Sequence, residues 1–125
     1  MSKRVTVDQP ISPEEITVIR VMLERAAVTA DCARLLTELN ALRVVYRCSC
    51  GCDSVDFQTF DPKIPPMPIA DGTGETPSGG SVGVIIWGSV DSVTGIEIYD
   101  EGAGDNDLRL PTPESIQPWG PDPKG

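Results

Sequence analysis

Twelve prolines and twelve glycines punctuate this chain of 125 residues, and their placement decides where regular structure can form. Five prolines (Pro62, Pro65, Pro66, Pro68, Pro77) and four glycines crowd the stretch 61–80, and Pro111, Pro113, Pro118, Pro121 and Pro123 interrupt the C-terminal end. Proline removes a backbone donor and glycine raises chain entropy, so the stretch 61–80 is expected to be a long loop, docked at most through Ile64, Met67 and Ile69. By the same argument 114–125 reads as a Pro-rich tail without regular elements, its neighbourhood pinned to the body by Leu108, Leu110, Ile116 and Trp119. A single domain over 1–113 suits the length, since 125 residues support one core and not two.

Between these interruptions the patterns are periodic. Ile11-Ser12-Pro13-Glu14-Glu15-Ile16 is a dense helix start, with Ser12 as cap, Pro13 in the first turn and Glu15 three residues after the cap. Ile16, Ile19, Met22, Leu23 and Ala26 recur at helical spacing, which predicts an amphipathic helix over 13–27. A second helix is expected with Thr29 as its cap, Asp31 in its first turn, Cys32, Leu35, Leu36 and Leu39 as its apolar stripe and Asn40 as its stop. Residues 42–48 and 54–60 read as the strands of a hairpin with Val55 and Phe57 facing the core. Residues 82–87 read as a central strand and 94–100 as its partner, with Ile96 and Ile98 on one face and Glu97 and Tyr99 on the other. The expected architecture is α+β: two N-terminal helices packed on one face of an antiparallel sheet built from two hairpins.

Charge narrows the function classes. Nineteen acidic against ten basic side chains give a formal charge of -9, which opposes attraction to phosphate backbones and anionic lipid. Nucleic acid and membrane surfaces are therefore not expected as partners, and another protein with a basic surface is. The start Met1-Ser2-Lys3-Arg4 leads into no apolar segment, and the longest apolar run is broken at Gly88, so a cytoplasmic location is expected.

Three of the four cysteines fall in Cys48-Ser49-Cys50-Gly51-Cys52, at the tip of the first hairpin. In a reducing compartment these read as thiols or metal ligands before disulfides. A zinc site would draw on Cys48, Cys50 and Cys52 with Cys32 as fourth thiolate; the ligand type fits, but the Cys-x-Cys-x-Cys spacing is tighter than structural zinc sites use. A Cys48–Cys52 disulfide clamping the hairpin end is a second reading, and cysteines serving as small apolar side chains in a tight turn, with one reactive thiol, a third.

The chain has no histidine. That removes Ser-His-Asp and Cys-His arrangements and the commonest general base near neutral pH. Carboxylates such as Asp53, Asp56, Glu97, Asp100, Glu101, Asp105 and Asp107 remain, but a carboxylate pair works as acid and base only where its surroundings split the two pKa values, and the sequence shows no such place. Residues 100–107 lack the glycine and terminal glutamate of a calcium loop, and the Gly72-Thr73-Gly74 and Gly79-Gly80 runs lead into no helix that could cradle phosphate. No catalytic residue and no cofactor is expected, zinc at the cysteines excepted.

The segment Leu42-Arg43-Val44-Val45-Tyr46-Arg47-Cys48-Ser49-Cys50-Gly51-Cys52-Asp53-Ser54-Val55-Asp56-Phe57, with Gly95-Ile96-Glu97-Ile98-Tyr99 and Leu110-Pro111 behind it, resembles a group of small bacterial proteins. These carry a C-x-C-G-C-x-S/T hairpin and a strand of "LEVY" type, and no activity is assigned to them. The resemblance spans roughly residues 30–113 and implies a shared fold. The strand ending also resembles small acidic immunity proteins that neutralise toxins. The expectation is a small acidic protein that is not an enzyme and acts by protein interaction, as an immunity-like or regulatory inhibitor. A thiolate metal or redox module and a structural component of a larger assembly are the alternatives.

Overall fold

A computed structural model of the chain describes residues 4–26, 32–48, 52–57, 65–89, 92–100 and 108–118. Its helix α1, Pro13–Arg25, begins where the capping box requires: Glu15 N donates to Ser12 Oγ (3.1 Å) and Ser12 N donates to Glu15 Oε1 (2.8 Å). Val18, Ile19, Met22 and Leu23 are buried along one stripe. Thirteen residues make a marginal helix in water, so α1 depends on this stripe, which contributes about 2 kcal/mol per fully buried large apolar side chain. It packs against strand β4, Met67–Glu75, and the C-terminal strand β7, Gln117–Pro118.

The remaining strands are β1, Arg4–Pro10; β2, Arg43–Cys48; β3, Val55–Phe57; β5, Ser81–Gly88; and β6, Val93–Asp100. All pairings are antiparallel, in one sheet of order β1-β2-β3-β6-β5-β4-β7. The meander β4-β5-β6 folds back so that β6 lies beside β3, which is a Greek-key connection. Val55 pairs with Ile96, Ile96 with Ile86 and Ile86 with Ala70, a row of four buried side chains facing the helix.

Four expectations are corrected. The second helix is reduced to α2, Cys32–Thr37, followed by a 3-10 turn at Leu39–Ala41. Thr37 Oγ1 donates to the Arg34 carbonyl (2.7 Å), a local bond that competes with helix continuation, yet Leu35 and Leu39 still reach the core. Thr29 and Asp31 lie outside the described residues. The sheet is not two hairpins but seven strands, because β1 joins β2 and the β3–β6 pairing fuses the two halves. Arg4–Pro10, with Val5 and Val7 at alternate positions, is a strand beyond the two expected hairpins.

The third correction falls on the expected loop at 61–80. Residues 67–75 form the nine-residue strand β4, and Ile69 and Ala70 are fully buried. Pro68 sits next to a register shift and beyond the two positions, Gly72 and Thr73, where β7 pairs, so its missing donor costs no ladder bond on that side. Gly72 and Gly74 are needed for close approach: a Cβ on Gly72 would stand 2.6 Å from the Gln117 carbonyl oxygen, and one on Gly74 2.6 Å from Pro111 Cβ. The fourth concerns the tail, whose described part forms a 3-10 turn at Pro113–Ser115 and the edge strand β7, with Ile116 buried. Arg25, at the end of α1, points a guanidinium nitrogen at the carbonyls of Pro113 (3.3 Å), Glu114 (3.4 Å) and Ile116 (3.3 Å), complementing the negative end of the helix. Among the described residues, no helix is long and apolar enough to cross a membrane.

Candidate functional site

The face of the sheet turned away from α1 carries no helix among the described residues, and an open groove of about 730 Å³ lies on it. Register assembles this face. Tyr46 on β2 pairs with Asp56 on β3, Asp56 with Gly95 on β6, and Gly95 with Trp87 on β5, so these four positions form one row. With strands ~4.8 Å apart the row spans about 14 Å. Gly95 lacks a side chain and forms the floor between the two aromatic walls. The Asp56 carboxylate leans over it, since a Cβ on Gly95 would lie 3.0 Å from Asp56 Oδ1.

The next positions along the strands complete the groove. Glu97 pairs with Ile85, and its Oε1 accepts the Trp87 indole N–H at 2.9 Å, which fixes the indole plane. Tyr99 pairs with Gly83 and lays its ring across that glycine. Cys52 and Leu108 line one end and Pro66 the other. Three aromatic side chains and the carboxylates of Asp56 and Glu97 thus face one concavity, while Asp100, paired with Val82, borders it from the other face of β6. The cation that also borders it, Arg47, is engaged towards the helix side, with Nε donating to Gln9 Oε1 (2.7 Å) and a terminal nitrogen 3.4 Å from Glu15 Oε2.

The cysteine end is built by backbone and carboxylate. Asp53 N donates to the Leu108 carbonyl (2.8 Å), Leu110 N donates to Asp53 Oδ2 (2.7 Å), and Arg109 stands 3.7 Å from Asp53 Oδ1. Ser54 Oγ accepts Ile98 N at 2.8 Å and so ties the start of β3 to β6. Asp53 therefore secures the segment entering the C-terminal strand. Of the four candidate zinc ligands, Cys48 is disulfide-bonded and Cys52 is a free thiol. The side chains of Cys32 and Cys50 lie outside the described residues. The expected Cys48–Cys52 clamp is not formed. Among the described residues no three cysteine or acidic side chains gather as a metal site. Glu101, Asp105 and Asp107 fall outside the described residues as well.

Sequence reasoning placed Glu97 and Tyr99 together on one strand face but missed the groove. Tyr46 and Trp87 belong to different hairpins, and only the non-consecutive β3–β6 pairing brings them onto one row. Alternation within β5 and β6 marked their outward positions; nothing in the sequence marked the strand order. Comparison of the chain with protein-family models, with curated proteins and with solved structures finds no match.

Proposed function

We propose that this protein is a non-catalytic interaction module whose helix-free sheet face receives a basic segment of a partner protein. The observation that carries the reading is the row Tyr46-Asp56-Gly95-Trp87, in which aromatic walls flank a carboxylate over a side-chain-free floor. A lysine or arginine side chain in that trough meets ring faces and acidic oxygens together, both of which attract cations. The span of about 14 Å matches roughly four residues of an extended chain at ~3.4 Å each. The charge of -9 steers such a partner in from a distance and repels acidic ones. An immunity-like or regulatory inhibitor would use a surface of this kind.

Titration of the labelled protein with an arginine- and lysine-bearing peptide, followed by amide and indole chemical shifts, tests this. Saturable shifts confined to β2, β3, β5 and β6 are expected, weakening as the Debye length falls from about 30 Å to about 8 Å with added salt. Equal binding of a glutamate-rich peptide, or shifts spread over the α1 side, would refute the reading.

A second reading rests on the disulfide at Cys48 and the free thiol of Cys52 bordering the same groove. It makes the cysteine end a thiol redox module or, with all four cysteines reduced, a thiolate zinc site. Elemental analysis of reduced protein decides it: stoichiometric zinc that is lost in Cys50→Ser supports the metal form.

A further inference from the structure

We infer that β1 is a self-recognition edge through which two copies of this chain pair, antiparallel, into one continuous sheet. The two ends of the seven-stranded order are not equivalent. At one end β7, as far as the described residues run, is two residues long, contains Pro118 and pairs with Gly72 and Thr73. Such an edge is too short and too poor in donors to template another strand. At the other end β1 runs seven residues and, among the described residues, no strand pairs with its outer side. Val5 on it is 46% exposed, and with Tyr46 and Met67 makes up the exposed large apolar side chains among the described residues.

The occupant is argued from the strand's own sequence. Antiparallel pairing of Arg4-Val5-Thr6-Val7-Asp8 with a second copy, centred on Thr6, sets position 4 of each chain opposite position 8 of the other and Val5 opposite Val7. Both charge pairs are then arginine against aspartate, both apolar pairs are β-branched, and Thr6 meets Thr6 on the two-fold axis; each pair type favours strand association. Parallel in-register stacking would instead oppose arginine to arginine and aspartate to aspartate. Asp8 already gives Oδ1 to Arg43 at 2.7 Å, yet its side chain is 80% exposed and stays accessible to a neighbour. The register shift between Thr6 and Gln9 falls at Val7–Asp8, inside this run, and shortens its regular part, and Pro10 ends the run; because β1 meets β1, each copy uses up its own edge and pairing closes as a dimer. The axis stands perpendicular to the sheet, so both helix-free faces lie on the same side of the dimer.

The test uses the unmodified chain first. Sedimentation equilibrium up to about 1 mM is required, because one short strand pair lies well below the ~1,600 Å² of a standard interface and predicts weak association. A mass rising reversibly from 13.4 kDa towards twice that value is expected, with hydrogen-exchange protection of β1 amides rising in step. Arg4→Asp and Asp8→Arg each place like charges in both pairs and should weaken self-association about tenfold. An equimolar mixture of the two restores opposite charges at both positions and should form the heterodimer. A mass of 13.4 kDa throughout the concentration range overturns the inference. So does a dimer that both single variants leave unweakened, which would place the contact on another surface such as the groove.

Discussion

Gly83→Ala gives the sharpest check on the geometry of the helix-free face. A Cβ at Gly83 would stand 2.0 Å from Tyr99 Cζ, 2.3 Å from Cε2 and 2.5 Å from Cε1, whereas carbon atoms settle at ~3.5–4.0 Å. The ring cannot yield by a small tilt and must leave the sheet. A half-buried tyrosine that gives up ~60–100 Å² of apolar contact loses about 1.5–2.5 kcal/mol at ~25 cal/mol per Å². Against this, alanine is favoured over glycine inside a strand by ~0.5–1 kcal/mol. The net is a destabilisation of about 1 kcal/mol, or a Tm lowered by roughly 3–6 °C for a domain of this size. In a Tyr99→Ala background the obstacle is gone and only the strand preference remains, so the same substitution should stabilise by about 0.5–1 kcal/mol. Urea unfolding followed by far-UV circular dichroism, with unchanged m-values, measures both. If Gly83→Ala shifts stability by the same amount and sign in the two backgrounds, Tyr99 does not rest on Gly83 and this wall of the groove is refuted.

Other perturbations address the remaining joints. Glu15→Ala removes the acceptor for Ser12 N and the partner of Arg47 and should cost about 2 kcal/mol. Arg47→Met, at a side chain 35% exposed, should cost no more than about 1 kcal/mol, and a double-mutant cycle by urea unfolding should give a positive Glu15–Arg47 coupling. Gly95→Val fills the trough and should weaken binding of the basic peptide at least about tenfold while the fold persists, as measured by indole shift titration. Without reductant, iodoacetamide should label Cys52 in the native protein and reach Cys48 only after reduction, a pattern that mass mapping reads directly.

The legible parts of this fold were those with local causes. The Ser12–Glu15 capping box announces α1, and strict alternation announces β6, because both signals are complete within eight residues. β4 was hidden for a different reason: Gly72 and Gly74 look like chain-loosening residues, but their purpose is to admit the Gln117 carbonyl and Pro111, partners that lie about forty positions away. Pro68 likewise reads as a breaker until the outer side of β4 is seen to be unpaired there. The candidate groove failed to emerge on the same account. Each of Tyr46, Asp56, Trp87 and Glu97 sits on a readable strand, but the row they form exists only through the β3–β6 crossover, which no local pattern encodes. The cysteine run drew attention through its composition, yet its chemistry depends on which sulfurs come within reach, and that is a matter of tertiary path.

The closure of β4 by Gln117–Pro118 also dictates the order in which a growing polypeptide can finish. Ser115 meets Glu75 across forty positions, and at a synthesis rate of ~5–20 residues per second the outer edge of β4 waits about 2–8 s before its cover has been made. During that interval Gly72 and Thr73, which β7 pairs in the finished chain, lie open along one border, an invitation to foreign strands. A nascent chain arrested short of Gln117 carries that exposed border for as long as it stalls. Quality-control machinery that recognises uncovered strands would see such products and spare the finished protein.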